Sequence, residues 1–414
     1  SILNCHCLFR EKRSKSLIAS SPRIDDVRHA VDQASPGDTV IVPDGSATWT
    51  GQLVITKGII LKAQTEGGVT ITGNYAGTPY SPSNFLIYYH VINPSADEPF
   101  RLSGFKIDLA GKCEGILIDN DSVTPSRKNR IDHNEIQNAS GRLMKIKGTV
   151  YGVADNNTLG LTNGALLTAY GLNETSWSNL TYNPGTADNW YYEDNTIYMY
   201  NAAHDGGGGG RYASRYNNYI NMKGGNIYPV MDMHGNMGTG GNHSGMGVEI
   251  YGNTFNMAGY NGNLLDQRGG RCVFYDNEII NGGSSVEFKV REEYYDYLNP
   301  PATASDGETQ HVCDSYYWNN YKNGSKITTD NPYVDGTLDY GEPEGIVPRE
   351  NVYFWRENTS FDGSSGIGVG PIADRPVTCT PGVAYWATDE KKLYRSTAPN
   401  VWTLHYVPYT YPHP

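Results

Sequence analysis

Apolar and polar residues alternate in short runs along most of this chain, and one local pattern keeps returning. Aromatic or aliphatic residues are followed by a polar residue, Asn, a polar residue and an apolar one. It first occurs as Ile131-Asp132-His133-Asn134-Glu135-Ile136, then around Asn157, Asn195, Asn218, Asn253, Asn277 and Asn358. The spacings are 23, 38, 23, 35, 24 and 81 residues. The three shortest agree within one residue and set a base period of 23 to 24; the longer gaps are coils with insertions. A period in the low twenties, filled by strands of three to five residues, predicts a solenoid of stacked parallel strands about 4.8 Å apart. Asn suits a coil corner because it tolerates the left-handed backbone region and its amide can bond the equivalent Asn of the next coil. These residues are therefore assigned to architecture.

Ahead of the repeats, Ile24 to Ala34 reads as a short amphipathic helix, with Val27, Ala30, Val31 and Ala34 on one face. Pro36-Gly37-Asp38-Thr39-Val40 and a strand-turn-strand around Lys57-Gly58-Ile59 follow. This opening resembles that of right-handed parallel β-helix proteins of the pectate-lyase-like superfamily, in which such a helix covers the exposed apolar end of the solenoid. The resemblance spans about residues 24–365. It implies an all-β fold, a right-handed parallel β-helix with an N-terminal helical cap, but not one activity, because the superfamily hosts lyases, hydrolases, epimerases and non-catalytic surface proteins.

The expected organisation is a basic peripheral segment over 1–22, a solenoid over 23–370, and a small C-terminal β module over 371–414 that could cap the open end. Loops are inserted at about 160–190, 222–247 and 295–348. The five consecutive glycines at 206–210 read as a flexible or closely packed loop.

Composition narrows the function. Gly (48) and Asn (37) make up about a fifth of 414 residues, too many for a helical bundle. Aromatic residues at 12 % argue against disorder. The net charge of −12 excludes general binding to nucleic acid or an anionic membrane, and no run of roughly 18 apolar residues exists to cross one. The cysteines (5, 7, 113, 272, 313 and 379) form no CxxC pair and read as structural or free. No signal peptide is visible, although low charge with high Asn, Gly and Tyr accompanies secreted or cell-surface proteins. Neither a phosphate loop nor a G-x-S-x-G elbow is present.

Aligning one strand of successive coils gives Val230-Met231-Asp232-Met233-His234, Leu264-Leu265-Asp266-Gln267-Arg268 and Glu287-Phe288-Lys289-Val290-Arg291. Met144-Lys145-Ile146-Lys147 and Gly164 to Thr168 lie on earlier coils. Alternation turns Met231, Met233, Leu265, Phe288 and Val290 inward. Two outward columns result: Asp232, Asp266 and Lys289 beside His234, Arg268 and Arg291. Gln267 would face inward, a misfit. β-Elimination of a uronic acid needs a base for the C5 proton and cations, from Arg, Lys or Ca²⁺, to neutralise the carboxylate. His234, Lys289 or Arg291 could be the base, with Arg268 on the carboxylate. Hydrolysis would instead use the paired Asp232 and Asp266.

Glu249 and Glu287 are further carboxylates; Tyr251, Tyr275 and Tyr294 could stack on sugars. His204 and His243, in Gly-rich loops, read as surface residues. For Ca²⁺, Asp119, Asp121, Glu287, Glu292 and Glu293 are available without EF-hand spacing. Asp232-Met233-His234-Gly235 is similar to the His-Gly element of polygalacturonase-like hydrolases, whose other motifs are absent; Lys289 and Arg291 resemble the Lys/Arg arrangement of β-helix alginate-type lyases. The expected function is cleavage of an acidic polysaccharide by β-elimination. The alternatives are a glycosidase, or a non-catalytic adhesin or phage-type surface protein, monomeric or trimeric.

Overall fold

The computed structural model describes residues 14–79, 81–96, 98–162, 166–200, 202–223, 229–236, 243–259, 262–283, 286–293, 310–329, 334–338 and 348–414, without the side chains of 286, 287 and 334–338. Among these residues the chain winds through three long sheets of twelve, ten and eleven strands. One coil runs through Met144–Gly148 of the ten-stranded sheet, Val150–Asp155 of the twelve-stranded sheet and Thr158–Leu159 of the eleven-stranded sheet. Each strand then pairs in parallel with its counterpart one coil on; the exception is Asn320–Lys322 with Ser325–Ile327, which is antiparallel. This is the parallel β-helix expected from the repeat.

Alternation builds the interior: Ile118, Ile146, Ala169, Met233, Leu265 and Val290 are buried in one continuous core. The helix Ile24–Gln33 lies at the start of the solenoid and buries Val27, Ala30 and Val31. Burial of such aliphatic side chains is worth about 1.5–3 kcal/mol each for the larger ones. Residues 16–18, expected to be peripheral, form an edge strand paired with Thr39–Val42.

The asparagine ladder stands at the corner between the twelve- and eleven-stranded sheets. Asn134, Asn157, Asn195, Asn217, Asn253, Asn277 and Asn320 each donate from Nδ2 to Oδ1 of the next at 2.9–3.1 Å, up to Asn277 on Asn320. Two rungs differ from the sequence reading. Asn217, not the exposed Asn218, is in the ladder, and Asn320 rather than Asn358 follows Asn277. The left-handed residue is also the one before each ladder Asn, as in His133, Asn156, Asp194, Tyr216, Gly252, Asp276 and Asn319. The Asn contributes hydrogen bonds; its predecessor makes the bend.

Three expected loops contain strands. Leu167–Tyr170 and Met231–Met233 belong to the ten-stranded sheet, and so does His204–Gly207, which takes up the first two of the five glycines. His204 and His243 are accordingly buried, not on the surface. The His204 ring stacks on Tyr212 with centroids 5.2 Å apart and its Nε2 lies 2.6 Å from the Tyr219 hydroxyl. Among the described cysteines, 113, 272 and 379 are free; Cys5 and Cys7 lie outside the described residues.

A fourth sheet follows the last coil: Ile367–Gly370, Ala384–Ala387, Lys392–Ala398 and Val401–Tyr406. It packs on outward-facing Tyr251, Tyr275, Trp318 and Trp355, so the expected end cap sits on a flank of the solenoid. From Tyr406 the chain runs back over earlier coils. Arg215, fully buried and paired with Glu193, donates to the carbonyls of Tyr409 (2.7 Å) and Thr410 (2.8 Å), and the His413 amide donates to Glu193 at 2.9 Å.

Candidate active site

The outward face of the ten-stranded sheet carries two polar columns. Strand pairing aligns Tyr88, Leu117, Lys145, Thr168, Asp205, Asp232, Asp266 and Lys289 in one. The other runs His90, Asp119, Lys147, Tyr170 and Gly207, continuing at the strand ends through His234 and Arg268 to Arg291. Seven steps of about 4.8 Å make this face about 34 Å long. Gln267 does point inward, where Nε2 donates to the Gly270 carbonyl and Ser315 Oγ at 2.8 Å and Oε1 accepts from the Tyr317 hydroxyl.

Five ionisable side chains meet at the centre. Arg268 donates through Nη2 to both oxygens of Asp232, at 2.9 and 2.7 Å, and its Nη1 lies 2.9 Å from Glu293 Oε2. His234 Nε2 is 3.0 Å from Asp205 Oδ1 and 3.5 Å from Asp232 Oδ2, while Nδ1 is 3.7 Å from Glu293 Oε2. Arg268 Nη2 also lies 2.5 Å from His234 Nδ1, so the two basic groups sit edge to edge inside a ring of three carboxylates. The Tyr170 hydroxyl donates to Asp205 Oδ2 at 2.9 Å. Gly207 makes room for this: a Cβ there would lie 3.0 Å from Tyr170 Cε1 and 3.3 Å from His234 Cβ. One coil on, Arg291 grips Asp266 through Nε (2.7 Å) and Nη2 (2.5 Å).

Burial sorts these groups. Arg268, Glu293 and Asp232 are at most 5 % exposed, whereas His234 keeps 18 % and Asp205 15 %. Burial opposes charge on the His234 ring, but Asp232, Asp205 and Glu293 together outweigh it and lift its pKa to about 10. The three carboxylates thus favour the protonated ring. Burial also works against ionised Asp205 and Glu293, yet His234 on the first, and His234 with Arg268 on the second, hold both below the usual range. Asp232 is pushed up by burial to about 6, against the pull of His234 and Arg268. The arrangement brings together an imidazole, a carboxylate and a phenol, all groups able to carry a proton.

The other expected residues lie elsewhere. Glu249 is on the twelve-stranded sheet, fully buried, accepting from the Gly185 amide (3.0 Å), Asn189 Nδ2 (2.8 Å) and the Tyr406 hydroxyl (2.9 Å). Tyr251, Tyr275 and Trp318 form a buried stack with centroids 4.8 and 4.3 Å apart, leaving no ring face open to a sugar. Tyr294 and the Glu287 side chain lie outside the described residues. Lys289 is half-buried beside Asp266. Sequence reasoning missed Asp205 because its strand was read as a loop, missed Tyr170 because the aligned strand was ended at Thr168, and weighed Glu293 only for calcium. The alternation in His204-Asp205-Gly206-Gly207 was the available signal.

Among the described residues, two groups of donors lie within 4.8 Å of one another: Asp205, Asp232 and His234, and His90, Asp119 and Asp121. Neither suits calcium, which takes six to eight oxygen ligands. In the first, Arg268 already pairs with Asp232, and His234 sits on Asp205. In the second, Lys147 Nζ lies 3.1 Å from Asp119 and 2.7 Å from Asp121. Glu292 is engaged by His311 at 3.2 Å.

No protein-family model and no curated protein matches the sequence. Solved structures do align. An alginate lyase from Paenibacillus sp. str. FPU-7 is 12 % identical, covering 78 % of this chain and 99 % of its own, with a TM-score of 0.48. A GH87 α-1,3-glucanase from Streptomyces thermodiastaticus strain HF3-3 is 14 % identical over 78 % of this chain and 68 % of its own, TM-score 0.44. A mannuronic acid specific polysaccharide family 6 lyase from human gut microbiota is 16 % identical over 91 % and 84 %, TM-score 0.40. The likeness is one of fold, which the strand pairing establishes independently.

Proposed function

We propose that this protein cleaves an acidic polysaccharide by β-elimination, with the polymer lying along the ten-stranded sheet. The observation that carries the reading is the partly open His234–Asp205–Tyr170 centre, midway along a polar face with cationic groups towards both ends. Lys145 and Lys147 stand on one side, Lys289 and Arg291 on the other. The similarity of fold to lyases and glycosidases is consistent with it.

In this reading Lys289 and Arg291 receive the carboxylate of the bound uronate and stabilise charge that develops on it when the C5 proton leaves. His234, once deprotonated, takes that proton. The C5–H electron pair becomes the C4=C5 double bond, the C4–O bond breaks, and the Tyr170 hydroxyl protonates the departing oxygen. Asp205 positions both proton carriers. Arg268 is too deeply buried for the substrate role expected of it and acts as the counter-charge to Asp232 and Glu293. A polymer substrate implies work at or beyond the cell surface.

The test is an absorbance time course in the near ultraviolet on a panel of acidic and neutral polysaccharides, run beside a reducing-end assay. Rising absorbance on a uronate polymer, lost in His234→Ala and Tyr170→Phe, is the expected result. One observation favours a second reading, hydrolysis: carboxylate oxygens of Asp205 and Asp232 approach within 4.8 Å, close to the roughly 5 Å of retaining glycosidases. Reducing ends without absorbance would select it. Glycan retention with neither signal would leave a binding protein.

A further inference from the structure

Lys145 stands in the outward column of the ten-stranded sheet, between buried Met144 and Ile146. It pairs with Thr168, which pairs with Asp205, so two steps of about 4.8 Å separate it from the centre. It lies on the Tyr170 side of Asp205, whereas Lys289 and Arg291 lie on the His234 side.

The surroundings of this lysine set it apart. Lys147, Arg268 and Arg291 each hold a carboxylate of the same face, on Asp121, Asp232 and Asp266. Among the described residues the Lys145 ammonium makes no ion pair and no hydrogen bond. The two carboxylates near enough to attract it are taken: Arg142 holds Glu114 at 3.1 Å and Lys147 holds Asp119 at 3.1 Å. What it does face is an aromatic ring, with Nζ 5.7 Å from the centre of Tyr170.

The side chain is half-buried. Charged groups are seldom withdrawn from water without a partner. Burial, together with the like charges of Arg142 and Lys147, lowers the pKa of this lysine. An anion brought beside it would offset both effects.

Position says which anion. In the elimination proposed above, Tyr170 protonates the oxygen of the leaving sugar. The Tyr170 hydroxyl is fixed on Asp205 at 2.9 Å, and Lys145 lies against the ring of the same tyrosine. A sugar whose oxygen meets that hydroxyl lies beside Lys145, while the sugar that loses its C5 proton lies towards Lys289 and Arg291.

We propose that Lys145 receives the carboxylate of the leaving sugar, so that the bond cut is one between two consecutive uronates. The proposal rests on the elimination reading and narrows its substrate to runs of uronate, excluding polymers in which uronate alternates with a neutral sugar. An ammonium acts as a point charge on a flexible stem, so it selects for the acid group and not for one sugar configuration.

The experiment compares initial rates of the full chain and its Lys145→Met and Lys145→Arg variants on polygalacturonate, polyglucuronate and polymannuronate, and on hyaluronan, in which glucuronate alternates with a neutral sugar. The wild type should cut a homopolyuronate and leave hyaluronan nearly uncut. Lys145→Met should raise KM on the homopolyuronate about tenfold or more with kcat within about threefold, and Lys145→Arg should recover most of the loss. Lys145→Met should melt no lower than the wild type, because no ion pair or hydrogen bond is lost, and this separates lost binding from lost folding. Equal cleavage of hyaluronan, an unchanged KM in Lys145→Met, or a fall confined to kcat would overturn the proposal while leaving β-elimination standing. If no uronate polymer gives near-ultraviolet absorbance, the elimination reading itself fails, and calorimetry with the tetramers of the same three uronates decides on Lys145. Binding that Lys145→Met weakens about tenfold retains it as a carboxylate site; binding unchanged in that variant, or no binding, removes it.

Discussion

Substituting His234 by Gln tests the proton-carrying centre directly. The folded pKa of about 10 stands above the ordinary imidazole value of 6.5 because three carboxylates face the ring. At 1.36 kcal/mol per pH unit this difference corresponds to about 5 kcal/mol, or roughly 3–5 kcal/mol after allowing for the ring's residual exposure. The sign follows from which state holds the proton more tightly, and here it is the folded state. The stabilisation is therefore complete below pH 6.5, shrinks as pH rises, and is gone above about pH 10. Denaturant unfolding at pH 6, 8 and 10 should show the wild type losing this amount relative to His234→Gln. Imidazole NMR should find the ring still protonated at pH 8. Activity should rise with pH towards 10 if His234 is the base. A ring titrating near 6.5, or equal pH dependence in both proteins, would refute the assignment of charge.

Three further outcomes are expected. Asn217→Ala leaves the Asn195 amide and the Tyr192 carbonyl without the partners they have at 2.9 and 2.8 Å and should cost about 2–5 kcal/mol by urea unfolding, whereas Asn218→Ala next to it should cost under about 0.5. Arg268→Met leaves Asp232 and Glu293 buried without their shared cation and should destabilise by about 3–5 kcal/mol, measured the same way at neutral pH. Gly207→Ala should lower kcat about tenfold or more with little change in melting temperature, because its methyl group would press on Tyr170 and His234 and move them relative to Asp205.

The fold was legible because a solenoid repeats its local rules: the period, the corner asparagines and the alternation at Met231, Met233, Leu265 and Val290 all point one way. The cross-strand register of Asp232, Asp266 and Lys289 followed from the same alternation. What escaped was strand built from residues that disfavour strands. His204–Gly207 ends in two glycines, and there parallel pairing on both sides overrides propensity. Losing that strand lost Asp205, and with it the link from His234 to Tyr170. Glu249, Tyr251 and Tyr275 were misplaced for another reason. Alternation shows that a side chain leaves the core, but not that a distant segment will cover it. The C-terminal sheet, far along the chain, does so here.

The return of residues 406–414 over earlier coils bears on how the molecule is made. Arg215 and Glu193 emerge from the ribosome about two hundred residues before the carbonyls of Tyr409 and Thr410 and the amide of His413 that complete their hydrogen bonds. Until then a buried ion pair in the middle of the stack waits half-solvated, and the coils around it can still open. Docking of residues 406–414 closes a hoop spanning the coils from Glu193 to Tyr275 and turns a stack able to fray coil by coil into one that opens together. Detaching only this segment would therefore loosen the centre of the protein while leaving its first coils intact.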